Sequence, residues 1–199
     1  MTDLSISRKT VRELFASMQN RKFIIPDFQR PYKWDIEKCE TLWNDIESFN
    51  HTRDAENYFL GTIVSYINSE NNIEIIDGQQ RITTLFLMLR AFYKKLEDMI
   101  PDDEVLGLKN QIAPCIWDVN PMSLLVSDKT KIHIQSLVAT EDDNENFHKI
   151  LYTGEVLNGA KDNYSQNFSF FVDKSDEYAE RQPLHWKELC VTVDILITD

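Results

Sequence analysis

Residues 73–84 read Ile-Glu-Ile-Ile-Asp-Gly-Gln-Gln-Arg-Ile-Thr-Thr, and this stretch predicts a strand that leads directly into a helix. Apolar β-branched residues dominate 73–76, which is typical of a strand, and the polar turn at 68–72 makes it the return strand of a hairpin. From Ile82 to Met99 apolar residues predict a long helix. Gly78 permits a sharp turn between strand and helix because it has no Cβ atom.

The sequence before this unit predicts two more helices and two more strands. Thr10 and Glu13 form the pattern of a capping box, so a helix is expected to begin there. Asp35 is the expected cap of the second helix. Residues 23–25 predict a short strand, and residues 58–67 predict one continuous strand.

The sequence after this unit gives weaker patterns. We expect irregular structure with a short helix, then a hairpin, an acidic helix, an aromatic-rich helix and a strand. The irregular segment is expected at 101–120 and the hairpin at 123–127 with 131–136. The acidic helix is expected at 141–152, the aromatic-rich helix at 158–181 and the strand at 189–198. Because a buried strand rarely ends a domain, we also expect the chain to be a truncated part of a longer protein.

The composition is that of a globular protein with an uneven charge. The chain has 199 residues, of which 42% are hydrophobic, and its net charge is −12. Residues 1–99 hold 13 basic and 15 acidic residues, whereas residues 100–199 hold 8 and 18. Such an acidic chain is a poor general binder of nucleic acid, because neutralising phosphates supplies most non-specific affinity. Seven of the eight arginines lie in residues 1–99, so an anion site is expected there.

Other features exclude several classes of protein. The apolar runs are too short to span a bilayer, and the first ten residues lack the apolar core of a signal peptide. The three cysteines are far apart and the four histidines show no metal-ligand spacing, so a structural zinc site is not expected. A cytoplasmic protein with reduced thiols is the resulting prediction.

The turn between strand and helix has the chemistry of an anion site. Unpaired N–H groups and the positive end of the helix dipole meet at residues 79–84, where phosphate commonly binds. Gly78 lets a ligand approach the backbone, and Arg81 can grip phosphate oxygens with two parallel hydrogen bonds. Thr83 and Thr84 add hydroxyl groups in the first turn.

Three other polar residues of this turn suggest catalysis. Asp77 can hold a magnesium ion or orient a water molecule, and Gln79 or Gln80 can position an attacking water. The alternative is purely structural: Asp77 would cap the helix, Gly78 would form a tight turn, and the remaining polar side chains would be solvated.

A second polar motif lies at residues 26–34, Pro-Asp-Phe-Gln-Arg-Pro-Tyr-Lys-Trp. The two prolines restrict this loop, so Gln29 and Arg30 are expected to be held in fixed directions. Tyr32 or Trp34 could stack on a base, and Arg30 could contact phosphates. Phe28 and Trp34 are instead expected to anchor the loop in the core, because large aromatic side chains are usually buried.

Taken together, residues 25–34 and 76–85 resemble the N-terminal domain of GmrSD-type restriction endonucleases, as does the strand at 58–63. The resemblance implies an α+β fold with a core similar to ParB and sulfiredoxin, in which a small mixed sheet and helices carry appended helical and β segments. It also implies that the Asp-Gly-x-x-Arg turn binds phosphate or nucleotide.

The same resemblance implies a role in modification-dependent DNA restriction and phage defence, with nucleoside triphosphate hydrolysis controlling DNA cleavage. Family members usually carry the nuclease in a separate C-terminal HNH-type domain. This sequence contains no His-Asn-His constellation, so nuclease activity is not expected of it. We expect residues 1–100 to form the ParB-like core and residues 101–199 to form an acidic extension of the same domain.

The sequence therefore predicts a magnesium-dependent nucleoside triphosphatase. The expected catalytic residues are Asp77, Gln80 and Arg81, with Asp77 also the expected magnesium ligand. The expected nucleotide-binding residues are Gln29, Arg30, Tyr32, Gly78, Gln79, Thr83 and Thr84. The expected partners are a nucleoside triphosphate, DNA through the full-length protein, and an HNH-type nuclease domain or subunit. No membrane partner is expected, and an oligomer is left open.

Two alternatives remain open at this level. The turn could bind a DNA phosphate or sense a modified base without nucleotide turnover. The chain could also be an inactive scaffold that pairs with a nuclease subunit.

Overall fold

The computed structural model describes residues 7–52, 58–183, 185–191 and 196–198, which form a mixed α+β fold. Within these ranges the helices are α1 (Val11–Ala16), α2 (Ile36–Thr52), α3 (Gln79–Asp98), α4 (Asp103–Ile116), α5 (Glu141–Thr153), α6 (Asn163–Arg181) and α7 (Trp186–Cys190). The strands are β1 (Lys9–Thr10), β2 (Phe23–Ile25), β3 (Tyr58–Gly61), β4 (Val64–Ile67), β5 (Ile73–Asp77), β6 (Ile134–Ser136) and β7 (Leu196–Thr198). None of the described helices is both long and apolar enough to cross a membrane.

The strands form two small sheets. One sheet has the order β4-β5-β2-β6, in which β4 and β5 form the predicted antiparallel hairpin and β5, β2 and β6 run parallel. The other sheet has the order β1-β7-β3. The expectation of a small mixed sheet with helices is confirmed by the first of these.

The prediction of one continuous strand over 58–67 is wrong, because the backbone turns at Gly61. Gly61 has a φ of +109°, which side-chain-bearing residues rarely adopt. The segment therefore divides into β3, which pairs with β7, and β4, which pairs with β5. Thr62 and Ile63 connect the two sheets. Beside this break, the carbonyl of Thr62 accepts a hydrogen bond from Arg81 in the first turn of α3.

Helix α3 lies at the centre of the molecule. Every residue from Ile82 to Phe92 is buried, which a helix achieves only when it is covered on all sides. Helices α4, α5 and α6 pack against it. One continuous apolar core contains residues from both halves of the chain, for example Phe15, Trp117 and Phe171.

The structure of residues 101–136 differs from two predictions. The short helix expected within 101–120 is the longer helix α4, which Asp102 caps by accepting a hydrogen bond from the Val105 N–H. The hairpin expected from 123–127 and 131–136 is also wrong. Residues 134–136 pair in parallel with β2, and only isolated bridges join Trp117 to Ile132 and Val119 to Val126 within the described part of the chain.

The other helix predictions are confirmed. The capping box of Thr10 and Glu13 is present at α1, and α5 ends at Gly154. The aromatic side chains of α6 expected to face inward are buried: Tyr164, Phe168, Phe171 and Tyr178. In the last predicted strand, 189–198, residues 189 and 190 instead end helix α7, 192–195 lie outside the described residues, and 196–198 form β7.

Arg90 is a fully buried cation in the middle of α3. Its Nη2 atom lies 3.1 Å from Glu97 Oε2, and its guanidinium lies over the rings of Tyr93 and Trp117. Burial lowers the pKa of Arg90, while Glu97 opposes that shift. The guanidinium also lies against the Cα of Gly154, so it joins α3 to the end of α5.

The contact between Arg90 and Gly154 gives a prediction about stability. Gly154 has a φ of +74°, and a Cβ atom there would lie 2.3 Å from Arg90 Nη2. Gly159 has a φ of +81° with open space around it, so Gly159→Ala is the matched control for backbone strain alone. We expect Gly154→Ala to lower the free energy of unfolding by about 1–3 kcal/mol more than the control does. Urea denaturation of both variants measures the difference, and equal losses would contradict the contact.

Candidate functional site

The turn from β5 to α3 presents backbone N–H groups without a side-chain cap. The cap residue of α3 is Gly78, which has a φ of +95° and makes no side-chain capping bond. Asp77 precedes it and is exposed. The structural alternative in which Asp77 caps the helix is therefore wrong. The N–H groups of the first turn have no intrahelical acceptors and remain able to bind an anion.

Gln80 joins the two sequence motifs. Its Oε1 accepts a hydrogen bond from the Lys33 N–H at 2.7 Å, and its Nε2 donates to the Pro31 carbonyl at 3.0 Å. The side chain is buried, and both ends of its amide are engaged by the loop. In this arrangement Gln80 holds the loop against the start of α3. To orient an attacking water, it would have to give up one of these bonds.

A buried hydrogen-bonded chain supports the same junction. Thr84 Oγ1 donates to the Gln80 carbonyl at 2.9 Å and lies 2.7 Å from Tyr32 Oη. Since the Thr84 proton is used, the Tyr32 hydroxyl is the donor to Thr84, and Asn167 Nδ2 donates in turn to Tyr32 Oη at 2.9 Å. Burial raises the pKa of Tyr32 well above its usual range. These side chains support the site from beneath.

The rest of the loop lies nearer the surface. Gln29 Nε2 donates to the Ile76 carbonyl at 2.8 Å, which ties the loop to the end of β5. Arg30 is exposed beside it. The prediction that Phe28 anchors the loop is wrong, because its side chain is 71% exposed. Trp34, the other expected anchor, is half-buried and packs against the core. The buried Tyr32 and the hydrogen bonds of Gln29 and Gln80 hold the loop together with it.

Arg81 is held by the break between β3 and β4. Its Nη1 donates to the Thr62 carbonyl at 3.0 Å. Its guanidinium lies over Gly61, where a Cβ atom would be only 2.8 Å from Nη2. The absence of a side chain at Gly61 therefore creates the space that Arg81 occupies. One face of the guanidinium is covered, and its remaining donors are available to a ligand.

A cavity of about 280 Å³ lies beside Arg81, between α2 and β3. It is lined by Trp34, Lys38, Thr41, Leu42, Asp45, Tyr58, Leu60 and Arg81. Within the described ranges, larger clefts of about 380, 460 and 650 Å³ contain no residue of either motif. The smaller cavity is therefore the one associated with the motifs.

Charged groups occupy both ends of this cavity. Asp45 Oδ2 accepts a hydrogen bond from the Tyr58 hydroxyl at 2.7 Å. Burial, and secondarily this carboxylate, raises the pKa of Tyr58 to about 12. Lys38 Nζ lies 3.1 Å from Asp35 Oδ2, and that pairing lowers the pKa of Asp35.

The structure separates the predicted site residues into two groups. Those at the surface are Arg30, Asp77 and the half-buried Gly78, Gln29 and Arg81. Those that are buried are Tyr32, Gln79, Gln80, Thr83 and Thr84. Sequence reasoning missed Lys38, Asp45 and Tyr58. The spacing of Lys38, Leu42 and Asp45 on one helical face is the signal that could have indicated the α2 side of the cavity.

The site can bind an anion, and it offers one exposed carboxylate to a metal ion. No group of three or more His, Cys, Asp or Glu side chains that could hold a metal occurs in the part of the chain that the structure describes. A cation would therefore have to bring most of its ligands with it, as magnesium does when it is bound to phosphates.

The chain is similar to known proteins. The family model described as GmrSD restriction endonuclease, N-terminal domain, matches residues 11–194. The uncharacterized protein MJ0686 of Methanocaldococcus jannaschii is 23% identical over 211 residues, a match that covers 83% of this chain. The match covers 34% of that relative, so the chain spans about a third of its length.

The two hydrogen bonds between the Gln80 amide and the loop give a second prediction about stability. Gln80→Ala removes two hydrogen bonds from a buried amide, and we expect it to lower the free energy of unfolding by about 1–3 kcal/mol. Gln29→Ala is the matched control, because it removes one bond from a more exposed amide and should cost less than about 1 kcal/mol. Urea denaturation measures both. Equal stability of the two variants would show that Gln80 does not hold the loop more strongly than Gln29 does.

Proposed function

Since the chain belongs to the family of GmrSD restriction endonuclease N-terminal domains, we propose that it binds a nucleoside triphosphate at the start of α3 and hydrolyses it. The family membership confirms the resemblance drawn from residues 25–34 and 76–85. Hydrolysis would control DNA restriction by a larger protein. The likeness of the core to ParB and sulfiredoxin is part of the same proposal.

The observation that carries the proposal is the position of Arg81 beside an uncapped helix start. The Thr62 carbonyl and the open space over Gly61 hold its guanidinium, and the neighbouring N–H groups of α3 lack a side-chain cap. A guanidinium and several N–H groups are complementary to a chain of phosphates. The exposed Arg30 extends the positive surface on the loop.

The proposed chemistry is attack of water on the γ-phosphorus. A P–O bond forms to the water oxygen, and the bond from phosphorus to the β–γ bridging oxygen breaks. The products are a nucleoside diphosphate, inorganic phosphate and one proton. Arg81 and the N–H groups would stabilise the charge on the phosphoryl oxygens. Asp77 would orient the water, because Gln80 is engaged by the loop and Gln79 is buried.

Magnesium fits this site through Asp77. The ion commonly binds to one or two protein carboxylates and completes its shell with phosphate oxygens and waters. Asp77 is an exposed carboxylate at the end of β5, directly before the N–H groups that would bind phosphate. The bound ion would neutralise charge on the phosphates.

The rest of the proposal concerns the longer protein. A separate HNH-type nuclease domain or subunit would cut DNA, and the DNA would be bound through that larger assembly. The net charge of −12 favours DNA binding through the larger assembly over tight DNA binding by the present chain alone. Binding of a DNA phosphate at the same turn is the competing function.

Arg81 provides the direct test of nucleotide binding. With magnesium and a nucleotide at about a hundred times its dissociation constant, the wild-type protein should gain about 2.7 kcal/mol of stability. Thermal unfolding with ATP, GTP, CTP and UTP measures the gain, and phosphate release measures turnover. Arg81→Ala should lose both, because it removes the main phosphate contact.

Arg21→Ala is the matched control for this test. Arg21 Nε donates to the Asn71 carbonyl at 2.7 Å, so it also binds a loop carbonyl but lies outside both motifs. It should keep the response to nucleotide. Undiminished binding and turnover in Arg81→Ala would overturn the proposal. DNA binding that falls steeply with salt and ignores nucleotide would favour the competing function.

A further inference from the structure

One end of the cavity beside Arg81 carries two cations, Arg81 and Lys38, of which Lys38 is paired with Asp35. Lys38 lies near the start of α2, and Arg81 lies over Gly61 at the end of β3. Both side chains line the cavity close to the loop that Gln80 holds against α3. This end therefore adjoins the N–H groups of α3, where the proposed function places the phosphates.

The opposite end of the cavity presents hydrogen-bond acceptors. Asp45 lies seven residues after Lys38 on α2, which places it about 10 Å further along the helix axis. Tyr58 lies at the other end of β3 from Gly61, and its hydroxyl donates to Asp45 Oδ2 at 2.7 Å. A carboxylate has about four acceptor positions, so Asp45 retains capacity for further donors. Its side chain is exposed and therefore accessible.

The volume of the cavity suits part of a nucleotide. About 280 Å³ is close to the lower end of the range for ligand pockets, which suits a base but not a whole nucleotide. The aromatic rings of Trp34 and Tyr58 and the side chains of Leu42 and Leu60 line it, and they offer apolar contact to a base. The phosphates would then lie outside the cavity, beside Arg81.

We propose that this cavity binds the base of the nucleotide and selects guanine through the carboxylate of Asp45. The proposal rests on the proposed function, because it requires the phosphates to lie beside Arg81. It adds a specificity-determining residue, Asp45, and a positioning residue, Tyr58, neither of which belongs to the two sequence motifs.

The hydrogen-bonding edges of the bases explain the choice of guanine. Guanine presents two adjacent donors, N1–H and the N2 amino group, which match the two oxygens of a carboxylate. Adenine and cytosine place a ring acceptor beside their amino group, and uracil places a carbonyl on each side of its N3–H. Each of these three bases would bring an acceptor toward the Asp45 carboxylate, and the repulsion would weaken binding of that base.

The test measures affinity by calorimetry on the full chain with magnesium. The probes are non-hydrolysable analogues of GTP, ATP and xanthosine triphosphate, together with inorganic tripolyphosphate. The wild-type protein should bind the GTP analogue about tenfold to a hundredfold more tightly than the ATP analogue, as bidentate recognition of a base edge does elsewhere. Tripolyphosphate reports the phosphate site without a base.

Asp45→Asn replaces one of the two acceptor oxygens that would face the base with a donor. An amide offers one donor and one acceptor, which match the O2 carbonyl and the N1–H of xanthine. We expect this variant to lose about tenfold or more in affinity for the GTP analogue, to gain affinity for the xanthosine analogue, and to bind tripolyphosphate as before. Tyr58→Phe should reduce the preference for guanine less than Asp45→Asn, because the carboxylate remains. Glu40→Gln, at an exposed carboxylate of α2 outside the cavity, should change nothing.

The outcomes separate this inference from the proposed function. If tripolyphosphate and all nucleotides bind but Asp45→Asn leaves the base preference unchanged, the inference is overturned and the proposed function stands. Equal affinity of the wild-type protein for the GTP and ATP analogues overturns it in the same way. If neither tripolyphosphate nor any nucleotide binds, both fail.

Discussion

The amide of Gln80 is the contact on which the arrangement of the site depends. By bonding to the backbone on both sides of Tyr32, it fixes the loop of residues 26–34 to the first turn of α3. The chain of hydroxyl groups from Tyr32 to Thr84 returns to the Gln80 carbonyl and locks the same turn from beneath. Because these groups are buried, each unmade bond would be costly, and the network specifies one geometry.

The polar residues of the two motifs therefore fall into a buried group and an accessible group. The side chains that point inward position the backbone, whereas Arg30, Asp77 and Arg81 are left where a ligand can reach them. Gln80 and Tyr32 are engaged by hydrogen bonds that join the loop to the helix.

The second determinant is the break at Gly61. By sending β3 and β4 into different sheets, it exposes the Thr62 carbonyl and leaves room for the guanidinium of Arg81. The same break places β3 opposite α2, and the cavity with Asp45 lies between them. The uncapped turn at the start of α3 and this cavity thus adjoin because one glycine interrupts one strand.

The local elements are predictable from the amino-acid sequence alone: the capped helix α1, the hairpin of β4 and β5, the turn at Gly78 and the buried face of α6. Each of these follows from contacts within a few residues, such as a cap bond or a helical repeat. The sequence also identified the family, because two motifs in fixed order are specific. Three other facts emerge from the folded chain: residues 134–136 pair with β2, Gln80 and Tyr32 are buried, and Asp45 and Tyr58 share a cavity with Arg81. Those facts depend on pairings between residues far apart in the chain, and local propensity carries no information about which distant segment will bury a given side chain.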